Sequence, residues 1–366
     1  MTPTTGVPAL NVRVMGVTIA IEPEDQATRD RLAHQWTRAI APDTDEATGR
    51  RVEAPAGPGR DGTEALDYAV TTQVTLAALI VTAGQRFNLH AGGLADEQGR
   101  VLALVGRSGT GKTTATRLLA ERLDYLSDET VSITPDGLVH PHAKPLSVIT
   151  DPERPADKAQ LSPDDLGLRP TPDTGRLARF VVLRRGVPDP RGLVLLEPME
   201  GLMSLIEQSS SVSGTADPLV TLLSLIDATG GVWALEYDEI NEHLDDLERL
   251  LRETIAPVDR PRPPHHPGDL KPVAPAEMAA DVLRRLPWAD AIELDDELLV
   301  LLEERAVRLD NLMATLWLAL ETPQTVAELA VPAQLRHGDH PDALDLIAKA
   351  AAVMAEQGLV AWGTLA

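Results

Sequence analysis

One eight-residue motif constrains the fold of this chain more than any other feature of the sequence. Residues 106–113 read GRSGTGKT and satisfy the pattern G-x-x-x-x-G-K-[ST], in which the glycines let the backbone curve around a phosphate group. The apolar run at 101–105 comes immediately before the motif, and residues 113–123 have helical spacing immediately after it. This order of strand, glycine-rich turn and helix predicts an α/β domain with a phosphate-binding loop at the end of a buried strand.

The motif also predicts which residues bind a nucleoside triphosphate. We expect the backbone N–H groups of the loop to point at a β-phosphate, and Lys112 to bridge the β and γ oxygens. The Thr113 hydroxyl is a hard oxygen ligand of the kind that Mg²⁺ prefers. The candidate nucleotide-binding residues are Gly106, Arg107, Ser108, Gly109, Thr110, Gly111, Lys112, Thr113 and Thr114. The alternative is a strand-to-helix turn that binds no nucleotide.

An acidic pair follows the predicted helix. We interpret residues 125–129 (YLSDE) as the beginning of a short strand that continues through residues 130–133. A strand at this position can return a carboxylate to the phosphate loop, so Asp128 is a candidate to hold a metal ion and to accept a proton from an incoming hydroxyl. Glu129 is a second candidate for the metal or for support of the site. The alternative is a solvated acidic turn, as expected for most such pairs in a chain with 56 acidic residues.

Three further polar positions are candidates. His90, on the strand before the phosphate-loop strand, is suited to position phosphate or to move a proton, and its alternative is a hydrogen-bonded core histidine. Lys144 is a candidate cation for the charge that develops on a transferred phosphoryl group, and its alternative is an exposed turn lysine. Arg184 and Arg185 close an apolar strand, from whose end they could reach a bound phosphate, and the alternative that we favour is a solvated strand end.

Proline content indicates where the chain divides. Residues 256–275 contain seven prolines in twenty residues, which excludes a helix or a central strand and predicts a linker. Residues 11–21 alternate like a pair of strands, residues 25–40 have helical spacing, and residues 42–62 are predicted to be a mobile loop. We expect a buried helix at 74–81, and strands at Phe87–Ala95 and Arg100–Val105 joined by a turn at 96–99.

Beyond the predicted linker the pattern is that of a small helical and winged unit. Residues 291–309 alternate around a turn at Asp295-Asp296. Amphipathic helices are predicted at 312–320, 325–335 and 341–357, and a closing strand at 359–362.

Composition excludes several classes of function. The net charge of -23 opposes the coating of nucleic acid or of an anionic membrane, and the absence of cysteine excludes disulfides, thiolate metal sites and a cysteine nucleophile. No secretion signal follows Met1, and the longest strongly apolar run, at 74–81, is shorter than the roughly 20 residues that span a bilayer. We therefore expect a cytoplasmic protein without nucleic-acid or membrane partners, for which a homo-oligomer is compatible with the sequence.

The string at 89–133 resembles the catalytic domain of HPr kinase/phosphorylase and its wider kinase-like relatives. That family joins a histidine on one strand, a glycine-bounded hairpin, the nucleotide loop and an acidic pair after the next helix. The resemblance implies that His90 matches the active-site histidine, residues 106–113 the nucleotide loop, Asp128 the catalytic acid/base and Glu129 the second acid. The family pattern has Asp-Asp at the acidic pair, and the C-terminal loop with which HPr kinases engage their protein substrate is not found in this sequence.

The last quarter of the chain resembles the PqqD family. The residues that carry this resemblance are Leu309-Asp310-Asn311, Leu316-Trp317, TVAEL at 325–329 and EQGLV at 356–360. PqqD-like units are small winged domains that recognise leader segments of ribosomally made, modified peptides, typically by adding the leader as a strand at a sheet edge. The resemblance implies a peptide partner, and the alternative is a structural or oligomerising winged domain.

Together these observations predict an α/β protein with an HPr kinase-like P-loop domain in the centre. The expected regions are an α+β N-terminal region at 1–85, the P-loop domain at 86–255, the linker at 256–275 and a PqqD-like winged-helix domain at 276–366. The expected function is an ATP- and Mg²⁺-dependent kinase that phosphorylates Ser or Thr of a peptide or protein, such as a modified-peptide precursor. Its expected catalytic residues are Asp128, His90 and Lys112, and its expected metal ligands are Thr113, Asp128 and Glu129. Two alternatives remain open: a nucleotide-gated peptide carrier without phosphotransfer, and a kinase of a small hydroxylated metabolite.

Overall fold

A computed structural model of the protein describes residues 6–42, 45, 48–57, 60–149, 158–271, 278–303 and 305–363. The fold is mixed α/β, with 34% helix, 30% strand and several separate sheets. The chain divides into two compact units. The first contains the described residues up to Thr215 together with Ser224–Asp259, and the second contains Ala216–Leu223 together with the described residues from Arg260 onwards. The division between Asp259 and Arg260 lies inside the predicted linker, and the predicted N-terminal region falls within the first unit.

The first unit begins with a small sheet covered by two helices. Its elements are β1 (Leu10–Val14), β2 (Val17–Pro23), α1 (Gln26–Gln35), a 3₁₀ helix (Thr37–Ala39), β3 (Arg51–Ala54) and α2 (Arg60–Thr82). β1 and β2 pair antiparallel, which confirms the predicted strand pair, and the helical spacing at 25–40 is confirmed by α1. The prediction of a loop at 42–62 is wrong for β3, which pairs parallel to β2 and buries Val52 and Ala54, and for the beginning of α2. Residues 43, 44, 46, 47, 58 and 59 lie outside the described residues.

Helix α2 is longer and less buried than predicted. The buried residues Val70, Val74 and Ala78 recur every four residues and form one core with the small sheet, whereas Leu76 and Ile80 are exposed. The segment Thr63–Thr82 is long and apolar enough to cross a membrane by length and composition, and 39% of it is buried inside the protein. Its packing against the small sheet accounts for the apolar face of α2.

A nine-stranded sheet forms the centre of the first unit. The strands of the rest of this unit are β4 (Phe87–Ala95), β5 (Arg100–Val105), β6 (Asp124–Ser127), β7 (Thr130–Ile133), β8 (Leu138–His140), β9 (Leu146–Ile149), β10 (Lys158–Leu161), β11 (Gly175–Arg185), β12 (Gly192–Leu195), β13 (Ser209–Ser210) and β14 (Val232–Tyr237). The helices are α3 (Lys112–Leu119), α4 (Pro198–Ile206), α5 (Pro218–Ala228), which is shared with the second unit, and α6 (Leu244–Arg252), with 3₁₀ turns at Val212–Gly214 and Ile240–His243. The sheet order is β12-β14-β11-β5-β4-β7-β8, with β6 and β13 also paired to β4, and β9 and β10 form a separate hairpin.

Two features of this sheet determine where the glycine-rich loop and the acidic pair lie. β5, β11 and β14 are parallel neighbours, so their carboxyl ends meet at one edge. The predicted strands Phe87–Ala95 and Arg100–Val105 are confirmed with the same bounds, and they pair antiparallel. The predicted continuous strand at 125–133 is wrong, because β6 and β7 are separated at Asp128 and Glu129.

The second unit combines two small sheets with three helices. Its further elements are β15 (His265–Pro267), β16 (Val282–Arg285), β17 (Asp290–Leu294), β18 (Glu297–Leu301), β19 (Ala306–Leu309), α7 (Asn311–Ala319), β20 (Gln324–Thr325), α8 (Val326–His337), α9 (Ala343–Glu356) and β21 (Val360–Trp362). The sheet orders are β15-β17-β18-β19 and β20-β16-β21. The turn at Asp295-Asp296, the three helices and the closing strand are confirmed, and β15 is an edge strand within the predicted linker.

Candidate functional site

The glycine-rich loop lies between β5 and α3 in the predicted order of strand, turn and helix. Gly109 and Gly111 have φ angles of +84° and +90°, in the left-handed region that side chains disfavour. A Cβ atom on Gly111 would lie 2.9 Å from the Tyr237 hydroxyl, and one on Gly106 would lie 2.7 Å from Thr110 Oγ1. The glycines of the motif are therefore required by the backbone and by close packing in this loop.

Neighbouring elements brace the loop. Tyr237 ends β14, and its hydroxyl donates to the Thr110 carbonyl, while the Thr110 hydroxyl donates to the Arg107 carbonyl at 2.8 Å. Burial raises the pKa of Tyr237, so this hydroxyl remains a donor at neutral pH. Arg107 points outward and forms an exposed ion pair with Glu207 at 3.0 Å. The loop is thus held by its own hydrogen bonds and by a strand of the same sheet edge.

Lys112 is the first residue of α3, and its side chain contacts the backbone of the glycine-rich loop. Only 6% of it is exposed, and its ammonium group donates to the carbonyls of Gly106 and Arg107, the latter at 3.0 Å. Burial lowers the pKa of Lys112, and the negative charge of Glu129 opposes this effect. The lysine is therefore a buried cation within electrostatic range of Glu129.

The acidic pair lies at the break between β6 and β7. Ser127 Oγ accepts hydrogen bonds from the backbone N–H groups of Glu129, at 3.1 Å, and Thr130, at 2.9 Å, which fixes the turn. Asp128 is 8% exposed, and its Oδ1 accepts a hydrogen bond from the Tyr125 hydroxyl at 3.2 Å. The alternative of a solvated acidic turn is wrong for Asp128, whereas the Glu129 side chain is 44% exposed.

Lys144 joins the two carboxylates. It is 4% exposed, and its Nζ lies 3.3 Å from Asp128 Oδ1 and 3.2 Å from Glu129 Oε2. Burial alone would lower the pKa of Lys144, but the carboxylates of Asp128 and Glu129 outweigh it and raise the pKa. The alternative of an exposed turn lysine is wrong, and the site contains a buried cluster of charges.

His90 lies beside this cluster on β4, where it pairs with Thr130 of β7. The residue is exposed, so the alternative of a core histidine is wrong. Partial desolvation and then the charge of Lys112 lower the pKa of His90, against the opposing effects of Glu129 and Asp128. The imidazole is therefore mainly neutral at neutral pH.

Most of these residues line one cavity of about 530 Å³. The predicted site residues that line it are His90, Ser108, Gly109, Gly111, Lys112, Thr113, Thr114, Asp128 and Glu129, together with the candidate Lys144. Gly106, Arg107 and Thr110 are in the loop but do not line the cavity. Thr113 and Thr114 are exposed in it.

The structure adds lining residues that sequence reasoning missed. They are Tyr68, Thr71 and Thr72 of α2, Ser147 of β9 and Lys158 of β10. Polar residues at spacings of three and four in an otherwise apolar helix were the available signal for the α2 face. Arg185 is exposed, as expected for a strand end, but it also lines the cavity.

The residues present fit Mg²⁺ bound together with phosphates. In the described residues, no group of three or more His, Asp and Glu side chains is arranged to hold a metal ion by itself. Thr113, Asp128 and Glu129 nevertheless supply a hydroxyl and two carboxylates in one cavity. This donor set suits Mg²⁺, which is usually held by one or two carboxylates, substrate phosphates and water.

No protein-family model matches the sequence, and no curated protein matches it either.

Proposed function

We propose that the protein is an ATP- and Mg²⁺-dependent kinase that transfers the γ-phosphoryl group to a hydroxyl group, Ser or Thr, of a peptide or protein. The observation that carries this proposal is that the glycine-rich loop with Lys112 and the buried carboxylate of Asp128 line one cavity. Phosphoryl transfer needs these two parts together, because catalysis rests on positioning, on charge stabilisation and on a group that orients the nucleophile.

The loop and α3 would bind the triphosphate. Left-handed glycines let the loop backbone approach an anion closely, and the N-terminus of α3 adds a favourable dipole. Lys112 would donate to the β and γ oxygens, and Thr113, Asp128 and Glu129 would hold Mg²⁺. The metal ion supplies charge neutralisation on the phosphates when bound.

Asp128 is the residue best suited to accept the proton of the acceptor hydroxyl. In the described residues, the Tyr125 hydroxyl donates to Oδ1, and the Lys144 ammonium group forms its ion pair with the same oxygen. Within the described part of the chain, no hydrogen bond reaches Oδ2, so this oxygen is available to an acceptor hydroxyl. A base held in this way contributes about 10²–10⁴-fold to a rate.

The order of elements in the first unit supports an HPr kinase-like P-loop domain. His90 on β4, the β4–β5 hairpin, the loop, α3 and the acidic pair follow one another as they do in that family. We extend the proposal to the second unit as a PqqD-like winged-helix domain, because a β17–β19 meander is followed by three helices and a closing strand. Such a unit would deliver a leader-bearing peptide precursor in the cytoplasm.

The test is phosphorylation by the full-length protein. It is incubated with Mg-ATP and synthetic precursor peptides that contain Ser or Thr, and the peptides are examined by mass spectrometry for the mass of one phosphate. We expect Lys112→Ala to abolish transfer, and Asp128→Asn to lose transfer while it still binds ATP in calorimetry. The matched controls are Lys271→Ala and Asp339→Asn, two exposed residues of the second unit, which should transfer normally.

The outcomes separate the proposal from its alternatives. ATP binding that changes peptide affinity without any phosphorylated peptide would favour a peptide carrier. Phosphorylation of a small hydroxylated metabolite in place of every peptide would favour a metabolite kinase. Full transfer by Asp128→Asn would refute the role of Asp128 as the base.

A further inference from the structure

We propose that Lys144 is a positioning residue for Asp128, whose Oδ1 it holds so that Oδ2 remains available to the acceptor hydroxyl. The proposal rests on the proposed function and deepens it, because it assigns a role to a residue outside the nucleotide loop and the acidic pair. The contacts of the ammonium group, the anchoring of its segment and the burial of its charge support this role.

Within the described residues, the ammonium group of Lys144 lies close to three oxygen atoms. A protonated lysine has three N–H donors and no acceptor. Nζ lies 3.3 Å from Asp128 Oδ1, 3.2 Å from Glu129 Oε2 and 3.3 Å from the carbonyl of Pro145, to which it donates. Two of these three oxygens belong to the carboxylates of the acidic pair, so the ammonium group acts on those carboxylates.

The segment that carries Lys144 is held on two sides. The backbone N–H of His142 donates to the Leu126 carbonyl at 3.0 Å, which ties the segment to β6. The Pro141 carbonyl accepts from the N–H of Met15 at 2.8 Å, in the turn between β1 and β2. Thr75 Oγ1 of α2 lies 3.3 Å from His142 Nε2. The small N-terminal sheet and α2 therefore help to place Lys144.

The burial of this charge is difficult to explain by stability alone. Asp128 and Lys144 are each less than a tenth exposed. Removing two charges from water is costly, and well-packed apolar residues often replace a buried ion pair without loss of stability. A buried ion pair at the edge of the proposed active site is better explained by the orientation it gives to Asp128.

The test uses water as the phosphoryl acceptor, so that no peptide has to be known. Mg-ATP hydrolysis by the full-length protein is measured as phosphate release at several ATP concentrations. We expect Lys144→Met to lower kcat at least tenfold with KM for ATP changed less than twofold, and Lys144→Arg, which keeps the charge, to recover part of the loss. Lys271→Met, at an exposed lysine of the second unit, is the control and should match the unmodified protein.

A double variant separates positioning from direct action on phosphate. If Lys144 acts through Asp128, Lys144→Met should change kcat less than twofold in the Asp128→Asn background. The double variant also removes both buried charges, so it carries the test if Lys144→Met alone does not fold, as judged by circular dichroism. A further tenfold loss in the double variant would show that Lys144 acts by a route other than Asp128 and would overturn the proposal.

Failure of this inference is distinguishable from failure of the proposed function. If Asp128→Asn impairs hydrolysis and Lys144→Met does not, only the role of Lys144 is wrong. If the unmodified protein binds no Mg-ATP in calorimetry, the proposed function is wrong and the role of Lys144 falls with it.

Discussion

His142 should make the stability of the first unit depend on pH. The side chain is completely buried, and burial together with the nearby charge of Lys144 lowers its pKa to about 3. In the described residues its Nδ1 has no hydrogen-bond partner, and Nε2 lies 3.3 Å from Thr75 Oγ1. The native protein therefore keeps this imidazole neutral at pH values where an unfolded chain would protonate it.

The size and sign of the effect follow from proton linkage. The pKa of an unfolded histidine is about 6.5. Below that pH the unfolded chain binds a proton that the native chain does not bind, so the free energy of unfolding falls as the pH falls. The relation gives a loss of about 2 kcal/mol between pH 7.5 and pH 5, and a limit of about 5 kcal/mol at pH values below the native pKa.

Amide hydrogen exchange of β6 and β7, followed by mass spectrometry and corrected for intrinsic rates, measures this free energy at pH 7.5, 6 and 5. The change of the unfolding free energy with pH is measured for the unmodified protein and for His142→Gln. The value for the variant is subtracted from that of the unmodified protein, because the many carboxylates of the protein also titrate. We expect this variant to lose the 2 kcal/mol dependence, and His340→Gln, at an exposed histidine of the second unit, to retain it. An unchanged slope in His142→Gln would refute the assignment of a buried neutral imidazole.

Three smaller predictions test the loop, the acidic turn and the second unit. Gly111→Ala should weaken Mg-ATP binding about tenfold in calorimetry, because a left-handed alanine costs roughly 1–2 kcal/mol. Adding Tyr237→Phe should restore only the part of the loss that comes from the 2.9 Å distance between the new Cβ atom and the Tyr237 hydroxyl. Full restoration would mean that the backbone conformation is not strained. Tyr125→Phe should slow Mg-ATP hydrolysis less than tenfold, since it removes one of the two contacts to Asp128 Oδ1, and a loss as large as that of Asp128→Asn would contradict this. Thr325→Ala should destabilise the second unit by about 1 kcal/mol in urea unfolding through loss of the capping box of α8, whereas Thr325→Ser should not.

Local signals were sufficient for much of the fold. The hairpin of β4 and β5 was predicted with the observed bounds because largely apolar segments flank a turn that ends in Gly99, which has a φ of +73°. The helices of the second unit were predicted because their buried residues follow helical periodicity, as Ile347, Ala351 and Met354 do in α9. In both cases the structural signal lies within fewer than twenty consecutive residues.

Long-range packing explains what the sequence could not show. β3 has only four residues, and its pairing with β2 crosses an intervening helix, so its short alternation did not stand out. The break between β6 and β7 depends on the hydroxyl of Ser127, a small group in an otherwise continuous strand pattern. The burial of Lys144 depends on contacts to β6, to the β1–β2 turn and to α2, none of which is adjacent in sequence.

These long-range contacts change how the N-terminal region should be regarded. The sequence predicts an α+β region at 1–85, outside the two segments that carry the resemblances, yet Tyr68, Thr71 and Thr72 of α2 line the same cavity as the loop and Asp128. The same helix holds His142, two residues from Lys144. If the loop binds the triphosphate, the α2 face is part of the remaining wall along which an acceptor must reach Asp128. The N-terminal region therefore belongs to the proposed active site, and exchanging it should alter acceptor choice before it alters nucleotide binding.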